Sequence, residues 1–167
     1  LSLARWGLAA TGNSNFGWFG GGTTPTPARL TTVDRINFSN DLATASPRGP
    51  LILARYGLAA TGNSNFGWFG GGTLPVTATV DRIDFSNDSV TASPRGSLTQ
   101  ARYLLAATGN SNYGWFGGGF VSAYQVTVDR MDFSNDSVQA SPRRSLVSIR
   151  GWFAATGNSN YGWFGGG

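Results

Sequence analysis

Short alternating runs, and not helical stripes, make up the hydrophobic pattern of this chain. Residues 16–19 read Phe-Gly-Trp-Phe, a period-two pattern rich in aromatic side chains, which predicts a β-strand. The small and apolar residues 8–11 predict a tightly packed strand before it. Gly-Asn-Ser-Asn at 12–15 is strong turn chemistry, so the two segments predict a hairpin with a connection of about four residues.

A second pair of strands is predicted farther along. In the segment TVDRIDFSND at 79–88, the side chains alternate over residues 80–85, which predicts a third strand followed by a turn at 86–88. The run Val-Thr-Ala at 90–92 predicts a short fourth strand that ends in Ser-Pro-Arg. Because proline cannot donate to a ladder, Pro94 is expected to mark the end or the edge of this strand.

Both segments recur along the chain. Copies of ATGNSNFGWFGGG, two of them with Tyr for the first Phe, begin at residues 10, 60, 107 and 155, so they lie 50, 47 and 48 residues apart. The TVDR segment recurs at 32–41 and 127–136. Such a period is typical of repeat architectures, in which each unit buries its apolar face against a neighbour. The single array divides into the units 1–48, 49–96, 97–144 and the half unit 145–167.

Four short strands per unit with glycine-rich turns predict an all-β fold of β-propeller blades, each with four antiparallel strands. Four first halves and three second halves make about three and a half blades in this chain. We expect almost no helix. An open arc of blades exposes a sheet edge and an apolar face, so we expect completion by association of chains, as a dimeric ring or a longer assembly.

The glycine triplets predict a crowded place that every unit shares, such as the neck around an axis; a flexible linker is the alternative. The tryptophans beside them predict inter-blade core, although exposed rings could stack on sugars. Arginine and aspartate adjoin in the third strand, where we expect structural roles. The predicted structural residues are Gly20, Gly21, Gly70, Gly71, Gly117, Gly118, Trp18, Trp68, Trp115, Trp163, Arg35, Arg82, Arg130, Asp34, Asp81 and Asp129.

The charged residues are of two kinds only, 12 Arg and 8 Asp, for a net charge of +4. Without Cys or His the chain has no disulfide, no thiolate metal site and no histidine base. The arginines recur at equivalent positions, many beside aspartate, so we expect no nucleic-acid partner despite the basic balance. No apolar run is long enough for membrane insertion and no signal peptide is recognisable. The absence of an initial Met suggests a processed product or an excerpt of a longer repetitive polypeptide.

Paired carboxylates are the one candidate for catalysis. Asp84 and Asp88 recur as Asp132 and Asp136, while Asn37 replaces the first of the pair in the first unit. We expect salt bridges to arginines of the Arg82 and Arg95 type and turn capping, because every unit needs the same brace; a catalytic dyad is the rival reading. Calcium at the FSND turns is a further alternative, although no DxDxDG loop is present. We therefore predict no enzyme, no cofactor and no metal site.

Polar turns and variable connections offer candidate binding surfaces. The connections after each glycine triplet differ between units, which favours them as a source of specificity. Asn-x-Ser sequons occur at Asn37, Asn87 and Asn135, where a chance origin in a Ser/Asn-rich turn is the better interpretation. The GNSN turns could offer amides to a surface glycan. The candidate ligand-binding residues are Asn13, Asn15, Asn63, Asn65, Asn110, Asn112, Asn158 and Asn160.

The order of these features resembles a kelch repeat. The features are Arg55, the small apolar segment 58–61, Trp68-Phe69 with the glycine pair, the third strand 83–85, and Pro94-Arg95. Kelch repeats form β-propeller blades, so the resemblance implies that fold over the whole chain. Ile36, Ile83 or Met131 stands in place of the kelch tyrosine, and the fourth-strand tryptophan is absent. No specific kelch function therefore transfers, and the copper-radical chemistry of a kelch-fold oxidase would require His and Cys.

The near-copied wording of the units is also similar to kelch-like repeats in structural proteins of marine cyanobacterial phages. This resemblance implies a non-enzymatic structural or interaction module in a virion or surface fibre, located on a virion or an extracellular surface. A lectin-like, carbohydrate-binding propeller for host or surface attachment is the alternative. An engineered symmetric scaffold is the second alternative, although the scattered Phe/Tyr and Ile/Met exchanges favour natural amplification.

Overall fold

The computed structural model describes residues 1–26, 28–40 and 42–167, so that Pro27 in the first variable connection and Asp41 at the end of the first FSND turn lie outside the described residues. The described residues form an all-β fold with three four-stranded antiparallel sheets and one two-stranded sheet. The strands are β1 Ala9–Gly12, β2 Phe16–Gly20, β3 Val33–Asn37, β4 Ser46–Arg48, β5 Ala59–Gly62, β6 Phe66–Gly70, β7 Val80–Asp84, β8 Ser93–Arg95, β9 Ala106–Gly109, β10 Tyr113–Gly117, β11 Val128–Asp132, β12 Ser141–Arg143, β13 Ala154–Gly157 and β14 Gly162–Gly165.

Each four-stranded sheet is a meander in which consecutive strands pair, in the order β1-β2-β3-β4 for the first sheet. The first strands of consecutive sheets lie side by side, β1 against β5, β5 against β9 and β9 against β13. This arrangement is that of propeller blades whose first strand is innermost. The prediction of about three and a half blades is confirmed, with β13-β14 as the half blade.

The hydrophobic core lies between sheets and not within them. One buried cluster joins Trp18 and Val33 of the first blade to Leu58, Phe69 and Ile83 of the second. An equivalent cluster joins the second blade to the third. Because a twisted four-stranded sheet cannot hide its own flat face, each blade depends on its neighbour for burial.

The fourth strand was predicted in the wrong place. It comprises Ser93–Arg95, whereas the preceding residues 90–92 lie in the turn region, where the side chain of Val90 is 53% exposed. Pro94 pairs with Asp81 in the outermost strand of the blade. There its missing N–H costs no ladder hydrogen bond on the open side, so the edge position expected for this proline is confirmed.

Helical structure is confined to one short segment among the described residues. A 3₁₀ turn at Phe133–Asn135 follows β11, with the side chain of Asp132 accepting a hydrogen bond from the backbone N–H of Ser134. No described helix has the length and apolar character needed to span a bilayer. The near absence of helix predicted from the hydrophobic pattern is therefore confirmed for the described residues.

Candidate functional site: blade boundaries and open ends

Each complete blade contains a buried ion pair between an arginine before its first strand and an aspartate in its third strand. Arg55 Nη1 lies 3.0 Å from Asp81 Oδ2, and neither side chain is exposed. Arg55 Nη2 also donates to the backbone oxygen of Phe69 at 3.0 Å. Burying a charge is costly unless it is paired, so these contacts fix the second and third strands against the entry to the blade. The equivalent pairs are Arg5–Asp34 at 2.8 Å and Arg102–Asp129 at 2.9 Å.

The ion pair of the second blade lacks a hydrogen bond that the other two have. Thr99 Oγ1 donates to Asp129 Oδ1 at 2.6 Å in the third blade, and the hydroxyl of Ser2 does the same in the first. Ile52 occupies this position in the second blade and offers only its backbone N–H. Asp81 Oδ1 is therefore buried without a partner among the described residues. Burial raises the pKa of Asp81, and its arginine partner opposes the shift.

A second polar contact joins neighbouring blades. Asp88 of the second blade accepts a hydrogen bond from Trp18 Nε1 of the first blade at 2.8 Å. The same Oδ2 lies 3.0 Å from Arg35 Nη1 and 3.4 Å from Arg48 Nε, both in the first blade. One carboxylate oxygen thus accepts two hydrogen bonds across the boundary and forms an ion pair with a second arginine. In the next boundary Asp136 accepts hydrogen bonds from Trp68 and Arg82 and forms an ion pair with Arg95.

The predicted salt bridges to Arg82 and Arg95 therefore form, with an aspartate of the following blade. Sequence neighbours such as Asp81 and Arg82 do not pair with each other, because consecutive residues of a strand point to opposite faces. Asp81 points to the buried Arg55 of its own blade, while Arg82 reaches Asp136.

Asp84, the other member of the candidate carboxylate pair, caps the turn that follows its own strand. Asp84 Oδ1 accepts from the backbone N–H and the hydroxyl of Ser86 at 2.9 and 2.6 Å. The hydrogen bond from the Ser86 side chain lowers the pKa of Asp84. Asp132 makes the same contacts with Ser134, whose side-chain hydrogen bond lowers its pKa. The predicted turn capping is present, and Asp84 and Asp88 have separate structural tasks.

Aromatic stacking covers the tryptophans at the complete boundaries. The ring of Trp18 lies parallel to that of Phe85 in the next blade with centroids 3.8 Å apart, and Trp68 stacks on Phe133 at 3.7 Å. Both tryptophans are fully buried, which confirms their prediction as inter-blade core. Trp115 is only half-buried and Trp163 is 52% exposed, so for these two the prediction is wrong.

Close approach of blades explains the glycines. A Cβ added to Gly70 would lie 2.7 Å from Phe116 of the next blade, and one added to Gly20 would lie 2.8 Å from Phe69. Gly71 has a φ of +70°, which disfavours any residue with a side chain. The predicted crowded neck is therefore present. It ends at the half blade, where a Cβ on Gly165 would have nothing within 4 Å.

The asparagines proposed as ligand-binding residues fall into two groups. The first asparagine of each turn is internally engaged: Asn63 Oδ1 accepts from the backbone N–H of Asn65 and Phe66, and its amide donates to Ser111 O of the next blade at 3.4 Å. Asn13 and Asn110 make the same contacts, and Asn158 makes the two within its own turn. The second asparagine of each turn is exposed, namely Asn15, Asn65, Asn112 and Asn160.

A shallow pocket opens beside these turns at both complete boundaries. Between the first and second blades it is lined by Asn15, Phe16, Asn65, Asp84 and Ser86, among others. Between the second and third blades Phe66, Asn112, Asp132 and Ser134, the equivalents of the last four, line a similar pocket. Exposed amides, a carboxylate, a hydroxyl and an aromatic ring therefore meet at each repeat. No group of three or more potential metal-ligating side chains occurs among the described residues.

The half blade leaves several groups without the partners that their equivalents have. Arg150, equivalent to Arg55, donates to the backbone oxygen of Gly166 but has no carboxylate partner among the described residues. Arg130 and Arg143, equivalent to Arg82 and Arg95, likewise have no ion pair within the described ranges. The guanidinium of Arg130 lies over the ring of Tyr113, 4.1 Å from its centroid.

The two faces at the ends of the array are complementary in kind. Trp163 lies on the face of the half blade, beside an apolar cavity lined by Thr156, Phe164 and Gly165, among others. On the opposite face, Phe38 of the first blade is 50% exposed, whereas its equivalents Phe85 and Phe133 stack on a tryptophan. Each end therefore shows one half of the contact that closes an internal boundary. These halves are the candidate interaction surfaces of the chain.

The class that the fold defines is a set of propeller-like repeated sheets. Neither a protein-family model nor a curated protein sequence matches the chain. The assignment of class therefore depends on the repeated geometry alone.

Proposed function

We propose that this chain is a non-enzymatic structural and interaction module whose kelch-like blades associate end to end. The observation that carries the proposal is the repeated stacking of a tryptophan on a phenylalanine of the next blade, together with the exposure of Trp163 at one end and Phe38 at the other. Near-identical units make one end complementary to the other in a heterologous contact, which closes into a ring or continues as a filament.

Further contacts support the same docking. Gly20 accommodates Phe69 at the first boundary and Gly117 accommodates Phe164 at the third. No aromatic ring packs against Gly165, and Phe19 on the first blade is only partly buried. In an end-to-end contact, Phe19 of a second copy would occupy the space above Gly165. Both chains would gain apolar burial, the main driving force for stable association.

The absence of catalysis is part of the proposal. The described aspartates are engaged in ion pairs, in tryptophan hydrogen bonds or in turn capping, as set out above. A carboxylate pair at work as acid and base would need two such groups held together with separated pKa values. We further propose a location in a virion or surface fibre, which the repetition of near-identical, mutually complementary units supports.

The mass of the particle in solution tests this proposal. Native mass spectrometry over a range of protein concentration should show assemblies of the 17.5 kDa chain. Trp163→Asp or Phe38→Asp should reduce association, since each places a charge in the docking face. Val90→Asp is the matched control, because Val90 has a similar exposure of 53% but lies in a turn of the second blade. A monomer at all concentrations, or equal loss in the control, would contradict end-to-end assembly.

A lectin-like role is the second candidate, favoured by the recurrence of the same polar and aromatic pocket at both complete boundaries. Amide and carboxylate groups beside an aromatic ring suit a sugar. The hydroxyls of the sugar would hydrogen-bond to the polar groups, and the face of its ring would pack on Phe16 or Phe66. Glycan-array binding tests it. Asn65→Ala and Asn112→Ala should abolish binding with folding unchanged, because neither side chain donates a hydrogen bond to another described residue. The absence of any glycan signal on the array would contradict the lectin-like role, and assembly would remain as the proposed function.

A further inference from the structure

The outer edge of β14 is unpaired among the described residues, although every equivalent strand has a partner. β2 pairs with β3, β6 with β7 and β10 with β11, in the same register. In the second blade this register sets Trp68 opposite Arg82 and Phe69 opposite Asp81. An exposed strand edge is a template for an added strand.

We infer that this edge binds an extended segment of the repeat's second-half sequence, V-D-R-[I/M]-D-F-S-N-D followed by S-P-R. The inference rests on the proposed association and extends it. It names the chemistry of a partner at the edge of β14, which is distinct from the end faces that carry Trp163 and Phe38. It is carried by three sets of partners that are missing together at the half blade. A single segment in the established register supplies all three.

The first missing partner is a buried carboxylate. Arg55 pairs with Asp81 of the third strand, and Arg102 pairs with Asp129 in the same way. Arg150 lies at the same point of the repeat, seven residues before its GNSN turn, without a carboxylate among the described residues. The aspartate of V-D-R, opposite Phe164 in the register, would complete this pair.

The second missing partner is an aromatic ring against Trp115. Trp18 and Trp68 each stack on the phenylalanine that follows the third strand of the next blade. Beside Trp115 there is instead a cavity of about 150 Å³, bordered by Thr108 and Phe164 among others. A cavity of this size holds one benzene ring in an engineered protein. The phenylalanine of D-F-S-N-D would occupy it.

The third missing partner is the carboxylate that binds a tryptophan and two arginines of the preceding blade. Asp88 and Asp136, the last residue of F-S-N-D, each accept from a tryptophan and pair with two arginines of the preceding blade. The corresponding donors of the third blade are Trp115 Nε1, Arg130 and Arg143, which have no such acceptor among the described residues. The two arginines are positive and partly or fully exposed, and the indole N–H is a neutral donor, so together they favour a segment that brings a carboxylate.

A synthetic peptide with the sequence of residues 79–95 tests the inference on the intact chain. Isothermal titration should show binding with a stoichiometry of one. A peptide carrying Asp81→Ala or Asp88→Ala should bind at least about tenfold more weakly, because each removes a charge-assisted hydrogen bond. Hydrogen exchange should show slower exchange at the amides of Gly162–Gly165 when the natural peptide is bound. These peptide variants leave the folding of the protein untouched.

Protein variants complete the test. Arg150→Met should weaken binding of the natural peptide about tenfold or more. It should not change the affinity of the Asp81→Ala peptide, because that peptide already lacks the carboxylate that Arg150 would bind. Arg144→Met is the control, because it removes the same positive charge from an exposed position outside the proposed contacts. It should leave the affinity unchanged. Equal binding of a scrambled peptide, no binding, or no protection of β14 would overturn the inference. End-to-end assembly seen by mass without peptide binding would sink this inference alone and leave the proposed function standing.

Discussion

The indole ring of Trp18 lies on the phenyl ring of Phe85 in the following blade, with centroids 3.8 Å apart and planes within 7°. The indole N–H of the same tryptophan donates to Asp88, three residues beyond that phenylalanine. One short segment of a blade thus satisfies both the apolar face and the polar edge of a tryptophan in its neighbour. The unit of stability is therefore the boundary between two blades.

Removing the ring from a boundary should cost far more than removing it from an open end. Phe85→Ala deletes the stack and opens a cavity beside the buried Trp18, so we expect a loss of about 2–4 kcal/mol of unfolding free energy. Phe38→Ala removes the equivalent ring where it is 50% exposed, and should cost less than about 1 kcal/mol. Urea unfolding of the two variants, at a concentration where the chain is monomeric, measures the difference. Equal losses would contradict the role assigned to the boundary.

The strand glycines allow a second matched comparison. Gly70→Ala places a Cβ 2.7 Å from the ring of Phe116, so the second and third blades must separate or the ring must shift. We expect destabilisation of about 1–3 kcal/mol, as for other overpacked cores. Gly165→Ala is the control, because its Cβ would meet nothing within 4 Å. Thermal unfolding should show a clear fall for the first variant and none for the second; a fall in both would indicate strand propensity as the cause.

The sequence predicts the repeat and its sheets well because both signals are local. Alternation within 16–19 and 80–85 and the GNSN turn each depend on residues a few positions apart. The fourth strand was misplaced because Val90 and Thr91 have high β-propensity, whereas pairing with β7 selects Ser93–Arg95, including a proline at the edge. Propensity is overridden there by the tertiary register.

The polar contacts of the boundaries were less accessible to sequence reasoning. Asp88 and Arg35 are 53 residues apart, so nothing local in the sequence indicates that they pair. One signal could have identified the buried arginines: Arg5, Arg55 and Arg102 each stand seven residues before a GNSN turn, as does Arg150 in the half blade. The exposure of Trp115 and Trp163 could not be predicted from a pattern that is identical in all four units, because it depends on which blade follows.

Acid should weaken the capped turn of the second blade. The hydrogen bond from Ser86 holds the pKa of Asp84 below its usual value of about 3.9. The folded state therefore binds this proton less readily than the unfolded state. The contribution of Asp84 is present above pH 4 or so and is lost as the pH falls through the lowered folded pKa.

Asp84→Asn, which cannot titrate, should flatten the dependence of unfolding free energy on pH in this acid range. Because the carboxylate is largely exposed, the effect should be at most about 1 kcal/mol. Ser86→Ala removes the side-chain hydrogen bond, the largest cause of the shift, but keeps the backbone N–H, so it should flatten the curve in part. Urea unfolding between pH 7 and pH 2.5 or so measures it. Variants whose pH curves run parallel to that of the unaltered chain would refute the assignment.

The missing hydroxyl of the second blade predicts a stabilising substitution. Ile52→Thr should place a hydroxyl against the buried and unpartnered Asp81 Oδ1, as Thr99 does for Asp129 at 2.6 Å. Ile52 is 42% exposed, so little apolar burial is lost in exchange. A hydrogen bond to a charged group contributes about 1.5–3 kcal/mol, and we expect a gain of about 1–2 kcal/mol after the lost apolar contact.

The reverse exchange, Thr99→Ile in the third blade, should remove a comparable amount by leaving Asp129 with one unsatisfied oxygen. The two substitutions exchange the same pair of residues in opposite directions at equivalent positions, so intrinsic differences between threonine and isoleucine cancel between them. Chemical unfolding of each single variant and of the double variant measures both changes. The double variant should match the unaltered chain, because it only moves the hydroxyl from one blade to the other. Destabilisation by Ile52→Thr would show that the packing of the isoleucine side chain contributes more free energy than the new hydrogen bond to Asp81 Oδ1.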